Sequence, residues 1–90
     1  MEKDQITNLI EEREKTHGRF DDTAETAQEL KAALYNRKGW HRMNLTQREG
    51  VDMICSKLAR LANGDPNHLD SWLDIAGYAL LAAPEDLGDE

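Results

Sequence analysis

The sequence predicts an all-α fold: a compact domain of four helices joined by short loops, the third and fourth forming a central antiparallel hairpin. Three observations predict it. Apolar residues recur at three- and four-residue spacing in four separate segments. No two-residue hairpin turn separates segments of alternating apolar and polar residues. The segments are bounded by acids, a Thr-x-x-Glu capping box, Gly or Pro, the residues that start and stop helices.

The first helix is expected from about Asp4 to Thr16, with Ile6, Leu9 and Ile10 on a narrow apolar face and Glu11 and Lys15 as a surface i,i+4 pair. Gly18 is the natural stop. The second is expected from Asp21 or Asp22, with Asp22-x-x-Glu25 as an approximate capping box, to near Asn36. Its repeating positions are Ala24, Ala27, Leu30 and Leu34. The third has the clearest start, Thr46-Gln47-Arg48-Glu49, and carries Val51, Ile54, Cys55, Leu58, Leu61 and Ala62 on its apolar face before Asn63-Gly64. Asp65 as N-cap and Pro66 in the first turn are expected to open the fourth, which runs to about Ala83. That helix is apolar round most of its circumference, so it is either central or packed against another subunit.

Ninety residues, net charge −7 and 39% apolar composition define one small, charge-rich domain. Residues 1–83 form it. Residues 84–90 hold four acids and no base and are expected to be a flexible acidic tail, which leaves −3 on the domain. A DNA mimic would spread its acids over folded faces. The densest basic segment, Arg37-Lys38-Gly39-Trp40-His41-Arg42, reads first as a solvated interhelical loop, and nucleic acid is not an expected partner. No apolar run is long enough to span a membrane, and no basic segment followed by an apolar stretch marks a secretory leader. With the lone Cys55, this points to a reducing cytoplasm. A domain this small buries little core, so self-association, most simply a dimer, is expected.

Two groups of residues have chemistry to offer. Asp70 and Asp74 share a helical face, and Glu49 and Asp52 lie three apart off the core stripe of the preceding helix. Two helices that each offer a pair of acids suit an oxygen-ligand Mg²⁺ site, with Lys57 and Arg60 near enough to neutralise phosphate. The structural alternative is that Glu49 caps a helix and that Asp70 and Asp74 pair with Arg60 or Lys57. Arg60 is then expected nearest Asp70, and Asp74 nearest Lys57 or Asp52. The second group centres on His17, where a helix end and Gly18 make a concave corner. It is either a wall of a polar pocket and a phosphate contact, or a cation placed at a helix C-terminus. His17, His41 and His68 lack metal spacing, Cys55 lies on an apolar stripe, and no glycine-rich phosphate loop or nucleophile elbow occurs.

Thr16-His17-Gly18-x-Phe20, Gln47-Arg48-Glu49, Lys57-Leu58-Ala59-Arg60 and Gly64-Asp65-Pro66-Asn67-His68-x-Asp70-x-Trp72-x-Asp74-Ile75-Ala76-Gly77-Tyr78-Ala79 together resemble a family of small phage and prophage proteins known as a domain of unknown function. The likeness runs over residues 8–83. Lys57-x-x-Arg60 followed by Asp70-x-x-x-Asp74-x-x-x-Tyr78 is also similar to the MazG-like all-α nucleoside triphosphate pyrophosphatases. In that family, acids of neighbouring helices hold Mg²⁺ against a nucleotide's phosphates, usually in dimers or tetramers. The resemblance implies Mg²⁺ at Glu49, Asp52, Asp70 and Asp74, and phosphate at Lys57, Arg60 and His17. The sequence departs from it at the acids: Glu49-x-x-Asp52 and Asp70-x-x-x-Asp74 stand where those enzymes carry Glu-x-x-Glu and Glu-x-x-Asp. Two functions follow as expectations. One is a Mg²⁺-dependent nucleotide-binding or pyrophosphohydrolase-like module; the other is a phage accessory protein that binds a host protein or a signalling nucleotide without turnover.

Overall fold

A computed structural model describes residues 2–85. Among them the chain is helical throughout, with five helices and no strand: α1 (Glu2–His17), α2 (Phe20–Tyr35), α3 (Lys38–Arg42), α4 (Leu45–Asn63) and α5 (Leu69–Ala82). Of the acidic tail 84–90, residues 86–90 lie outside the described part. No described helix is long and apolar enough to cross a membrane.

The extra helix is α3, formed by the segment expected as a loop. Its Trp40 ring sits 4.6 Å from that of Tyr35 at the end of α2. Arg48 of α4 reaches back over the Trp40 ring at 5.8 Å and donates to the carbonyls of Trp40 and His41 at 3.3 and 3.2 Å. Those carbonyls belong to the last turn of α3, where the Trp40 carbonyl also accepts from the Met43 amide at 3.1 Å. The Arg48 guanidinium therefore docks a helix too short to stand alone.

Helix starts differ from the expected ones. In α4 the capping box is Asn44–Gln47, two residues before Thr46–Glu49: the Gln47 amide donates to Asn44 Oδ1 at 2.8 Å and the Asn44 amide to Gln47 Oε1 at 3.1 Å. Helix α2 begins at Phe20, without a side-chain cap. Asp65 and Pro66 do not open α5. The Asp65 side chain accepts from the Asn67 amide at 2.9 Å and its carbonyl from His68 at 3.1 Å, which spends them on a turn and delays the helix to Leu69. Trp72 fixes that turn by donating its indole N–H to the Pro66 carbonyl at 2.8 Å. On α1, Lys15 pairs with Glu12 at 3.7 Å instead of Glu11.

The centre of the fold is α4, which packs on α5, α2 and the end of α1. Its buried positions are small: Gly50, Cys55 and Ala59, with Leu61. Ala27 of α2 and Ser71 of α5 complete the buried set among the described residues, none of which has a large side chain that is fully buried. A Cβ on Gly50 would lie 2.9 Å from that of Ala82, so the absence of a side chain there lets the end of α5 close on the start of α4. The expectation of compactness fails. The radius of gyration is 15.8 Å, against about 12 Å for a compact chain of this length, and the molecule measures 54 × 28 × 22 Å. Every residue of α1 from Asp4 to Lys15 is exposed, so α1 joins the body mainly through its last turn.

Candidate functional site: a cationic corner

The end of α1 is locked against the end of α4. Gly18 has φ +77°, a left-handed conformation open to glycine, and its amide closes α1 on the Glu14 carbonyl at 2.9 Å. That turn sets the backbone of residues 16–18 directly on Asn63 and Gly64. The Asp65 amide donates to the Thr16 carbonyl at 2.9 Å, and the Thr23 hydroxyl of α2 donates to the His17 carbonyl at 2.8 Å. Three elements therefore hold His17, whose ring meets that of His68 edge-on at 5.5 Å.

Beside this corner lies a pocket of about 360 Å³ between α1, α2 and α4. Arg13 and His17 line it from α1, Lys31 from α2 and Arg60 from α4, and Glu14 is the only carboxylate among its lining residues. Ile10, Phe20, Ala24 and Ala27 give it an apolar wall, while Thr23, Gln28 and Ser56 add neutral polar groups. The space exists because α2 presents alanines at 24 and 27, where larger side chains would fill it. Phe20, 85% exposed, stands at the rim.

The electrostatics agree with the composition. His17 is harder to protonate than an ordinary imidazole, first because of burial and then because of the positive charges of Arg60, His68, Arg13 and Lys57. Its Nδ1 is buried and makes no hydrogen bond within the described chain. The corner thus presents positive potential and an imidazole that resists protonation at the wall of a cavity.

The residues expected to act together are distributed differently. His17 and Arg60 meet at the pocket. Lys57 does not join them: its ammonium pairs with Asp74 at 2.9 Å, with the Lys57 side chain 13% and the Asp74 side chain 49% exposed. Asp52 accepts a 2.7 Å hydrogen bond from the Tyr35 hydroxyl, which raises the Tyr35 pKa above its ordinary value. Glu49 lines a separate apolar groove of about 410 Å³ with Leu45, Gly50, Tyr78 and Leu81. Asp70 is exposed in the first turn of α5 and is not paired with Arg60, because α5 starts late and Arg60 faces the pocket. Among the described residues no three His, Cys, Asp or Glu side chains form a group that could hold a metal ion. Glu49, Asp52, Asp70 and Asp74 therefore do not form a four-acid Mg²⁺ cage within this chain. Lys31 is a pocket residue that sequence reasoning passed over; Arg13 and Phe20 lie in the segment 12–20 that the sequence marks around His17, but neither was named as a site residue. The available signal for Arg13 was its four-residue spacing from His17, which stacks the two on one face of α1.

Helices around one small-residue central helix, with a cationic pocket where α1 turns into α2, define a small all-helical protein with a cationic corner. The chain belongs to the family described as a domain of unknown function (DUF6378), whose model matches residues 4–85. No curated protein and no solved structure gives a significant match.

Proposed function

We propose that the corner pocket binds a phosphorylated small molecule, a nucleotide fitting it best. One observation carries this reading: in a chain of net charge −7, the pocket gathers Arg13, Lys31 and Arg60 with His17 against a single carboxylate, Glu14. Phosphate oxygens suit guanidinium groups, which offer paired donors. The Ile10 and Phe20 wall suits a flat base, and a volume of about 360 Å³ lies within the range of small-ligand sites. The resemblance to MazG-like pyrophosphatases supports a nucleotide over other phosphates. The resemblance to phage and prophage proteins supports an accessory role in a cytoplasm where nucleotides are abundant.

Binding without turnover is favoured over hydrolysis, because among the described residues the four acids that would hold Mg²⁺ form no common group and two of them are spent on Tyr35 and Lys57. Any Mg²⁺ then arrives with the ligand's phosphates. An exposed aromatic face at Trp40 would favour the host-protein alternative; Trp40 is instead half-buried against Tyr35 and Arg48.

The test is a thermal-shift series with a nucleoside, its mono- and triphosphate and inorganic phosphate, each with and without Mg²⁺. A ligand at about 100-fold excess over Kd should stabilise by roughly 2.7 kcal/mol. The expected result is stabilisation by the nucleotides, little by the nucleoside, and loss of the effect in Arg60→Ala and Arg13→Ala. No stabilisation by any phosphate at millimolar concentration refutes the reading. Pyrophosphate release with Mg²⁺ would replace it with the enzymatic one.

A further inference from the structure

Helix α5 has two apolar faces, and only one is used. Ser71, Ile75, Tyr78 and Ala82 turn toward α4 and are buried or half-buried. On the other side run Leu69, Trp72, Leu73, Ala76 and Leu80. At 100° per residue, Leu73, Ala76 and Leu80 fall within about 40° of Leu69, and Trp72 about 60° away, so the five make one stripe along the helix. The four large residues are each at least 50% exposed. No charged residue interrupts the stripe; Asp70 and Asp74 lie on its flank, and Asp74 reaches sideways to Lys57.

The whole chain exposes 7051 Å², where a folded monomer of this mass exposes about 5,300 Å². Six residues lie outside the described part. Granting them the area of a fully extended peptide, about 960 Å², still leaves the described body about 1,000 Å² in excess. A stable protein–protein interface takes about 800 Å² from each partner. The surplus, to which the exposed length of α1 also contributes, is of the size that one further copy would cover. An uncharged stripe of leucines is also self-complementary: two of them pair about a two-fold axis, whereas a charged partner would find no counter-charges on it.

We propose that the outer face of α5 is a homodimer interface, α5 packing on its symmetry mate with the axis passing near Ala76. It is independent of the ligand pocket. Each chain's net charge of −7 opposes association, so added salt strengthens the dimer by screening.

The experiment is sedimentation equilibrium of the full chain from about 1 to 100 μM. The expected mass is twice 10.2 kDa, retained when NaCl is raised from about 0.05 to 0.5 M. A 10.2 kDa species across that range, or a dimer dissolved by salt, overturns the proposal. Leu73→Glu with Leu80→Glu should give a monomer of unchanged helicity by circular dichroism, and a dimer that survives them places the interface elsewhere. Should that variant fail to fold, cross-linking decides: Cys55 is buried, so a short bismaleimide reads an introduced thiol. Ala76→Cys should link into dimers in most of the protein. Glu29→Cys, on exposed α2, should not, and equal yields at the two positions overturn the assignment.

Discussion

Replacing Gly18 by alanine should be among the most damaging single-methyl changes in the molecule, with Gly64, whose added Cβ would meet the backbone of Thr16 and His17 on the other side of the same contact. Two costs add. An alanine at φ +77° sits in the left-handed region, which costs about 1–2 kcal/mol. Its Cβ would lie 2.6 Å from the Asn63 carbonyl carbon and 2.8 Å from the Asn63 Cβ, closer than such atoms approach, and the nearest obstacle is backbone that cannot swing aside. The α1–α2 corner would have to lift from the end of α4. Lifting it breaks the Asp65 N–H to Thr16 C=O bond of 2.9 Å, worth about 1 kcal/mol. The expected loss is about 3 kcal/mol. In urea, with a slope of about 1 kcal/mol per molar for a chain this small, the midpoint falls by about 2–3 M at fixed protein concentration. Gly77→Ala is the matched control: nothing lies within 4 Å of its added Cβ, and inside α5 alanine should stabilise by about 0.5–1 kcal/mol. A Gly18→Ala loss below about 1 kcal/mol would refute the claim that this corner is closed on α4. Because the same backbone carries His17, the variant should also lose nucleotide stabilisation.

Asp74→Ala should cost about 1–2 kcal/mol, since it strands a mostly buried ammonium while the carboxylate itself is half exposed and partly screened; a double-mutant cycle with Lys57→Met that shows no coupling would refute the pairing. It should leave nucleotide stabilisation intact, as a Mg²⁺ ligand would not. His17 predicts a pH dependence. Its folded pKa lies below the ordinary 6.5, so as pH falls past 6.5 the unfolded chain takes a proton that the folded chain resists. Stability drops there until the pH passes below the depressed value, and urea titrations of His17→Gln should lack that component. A bound phosphate favours the imidazolium, so binding near pH 6.5 should take up protons, measurable by calorimetry in buffers of different ionisation enthalpy. Cys55 is buried and its thiol pKa is raised by that burial, so its labelling by a disulfide reagent should follow global unfolding; fast labelling of the native protein would contradict the packing of α4.

The helices were legible in the sequence because their signals are local. Apolar spacing found α1, α2, α4 and α5, and Gly18 was read as the stop it is. What competed with those signals was also local but ambiguous. Asn44 and Thr46 each stand three residues before a residue able to complete a capping box, and spacing alone does not rank them. Asp65-Pro66 satisfies a turn and a helix start equally well on paper; the Asn67 and His68 amides settle it for the turn. Helix α3 escaped because its stability comes from Arg48, which is six residues beyond its end and belongs to another helix. The doubly apolar character of α5 was visible, but which face met α4 depended on the packing of Gly50 against Ala82.

The site was half legible for a related reason. Lys57 and Arg60 differ by three residues on one helix, so their directions differ by only about 60°. The phosphate reading of the sequence assigned them one task, while its structural alternative separated them, with Asp74 facing Lys57 or Asp52 and Arg60 nearest Asp70. But α4 is the central helix, and that arc spans the boundary between two neighbours. Lys57 falls on the α5 side and is spent on Asp74. Arg60 falls on the side of α1 and α2, where the alanines at 24 and 27 leave it a cavity. The pair of cations became one structural residue and one site residue, and the carboxylates followed the same rule: Asp74 went to Lys57 and Asp52 to Tyr35. Spacing fixes which residues share a face of a helix, while the placement of neighbouring helices fixes which of them share a purpose. Exchanging the roles tests that directly. Lys57→Arg should keep the pairing with Asp74 and leave phosphate binding unchanged. Arg60→Lys should keep the fold but weaken phosphate binding, because a single ammonium replaces the paired donors of a guanidinium. A phosphate affinity that responds equally to both substitutions would show that the two cations act as one site after all.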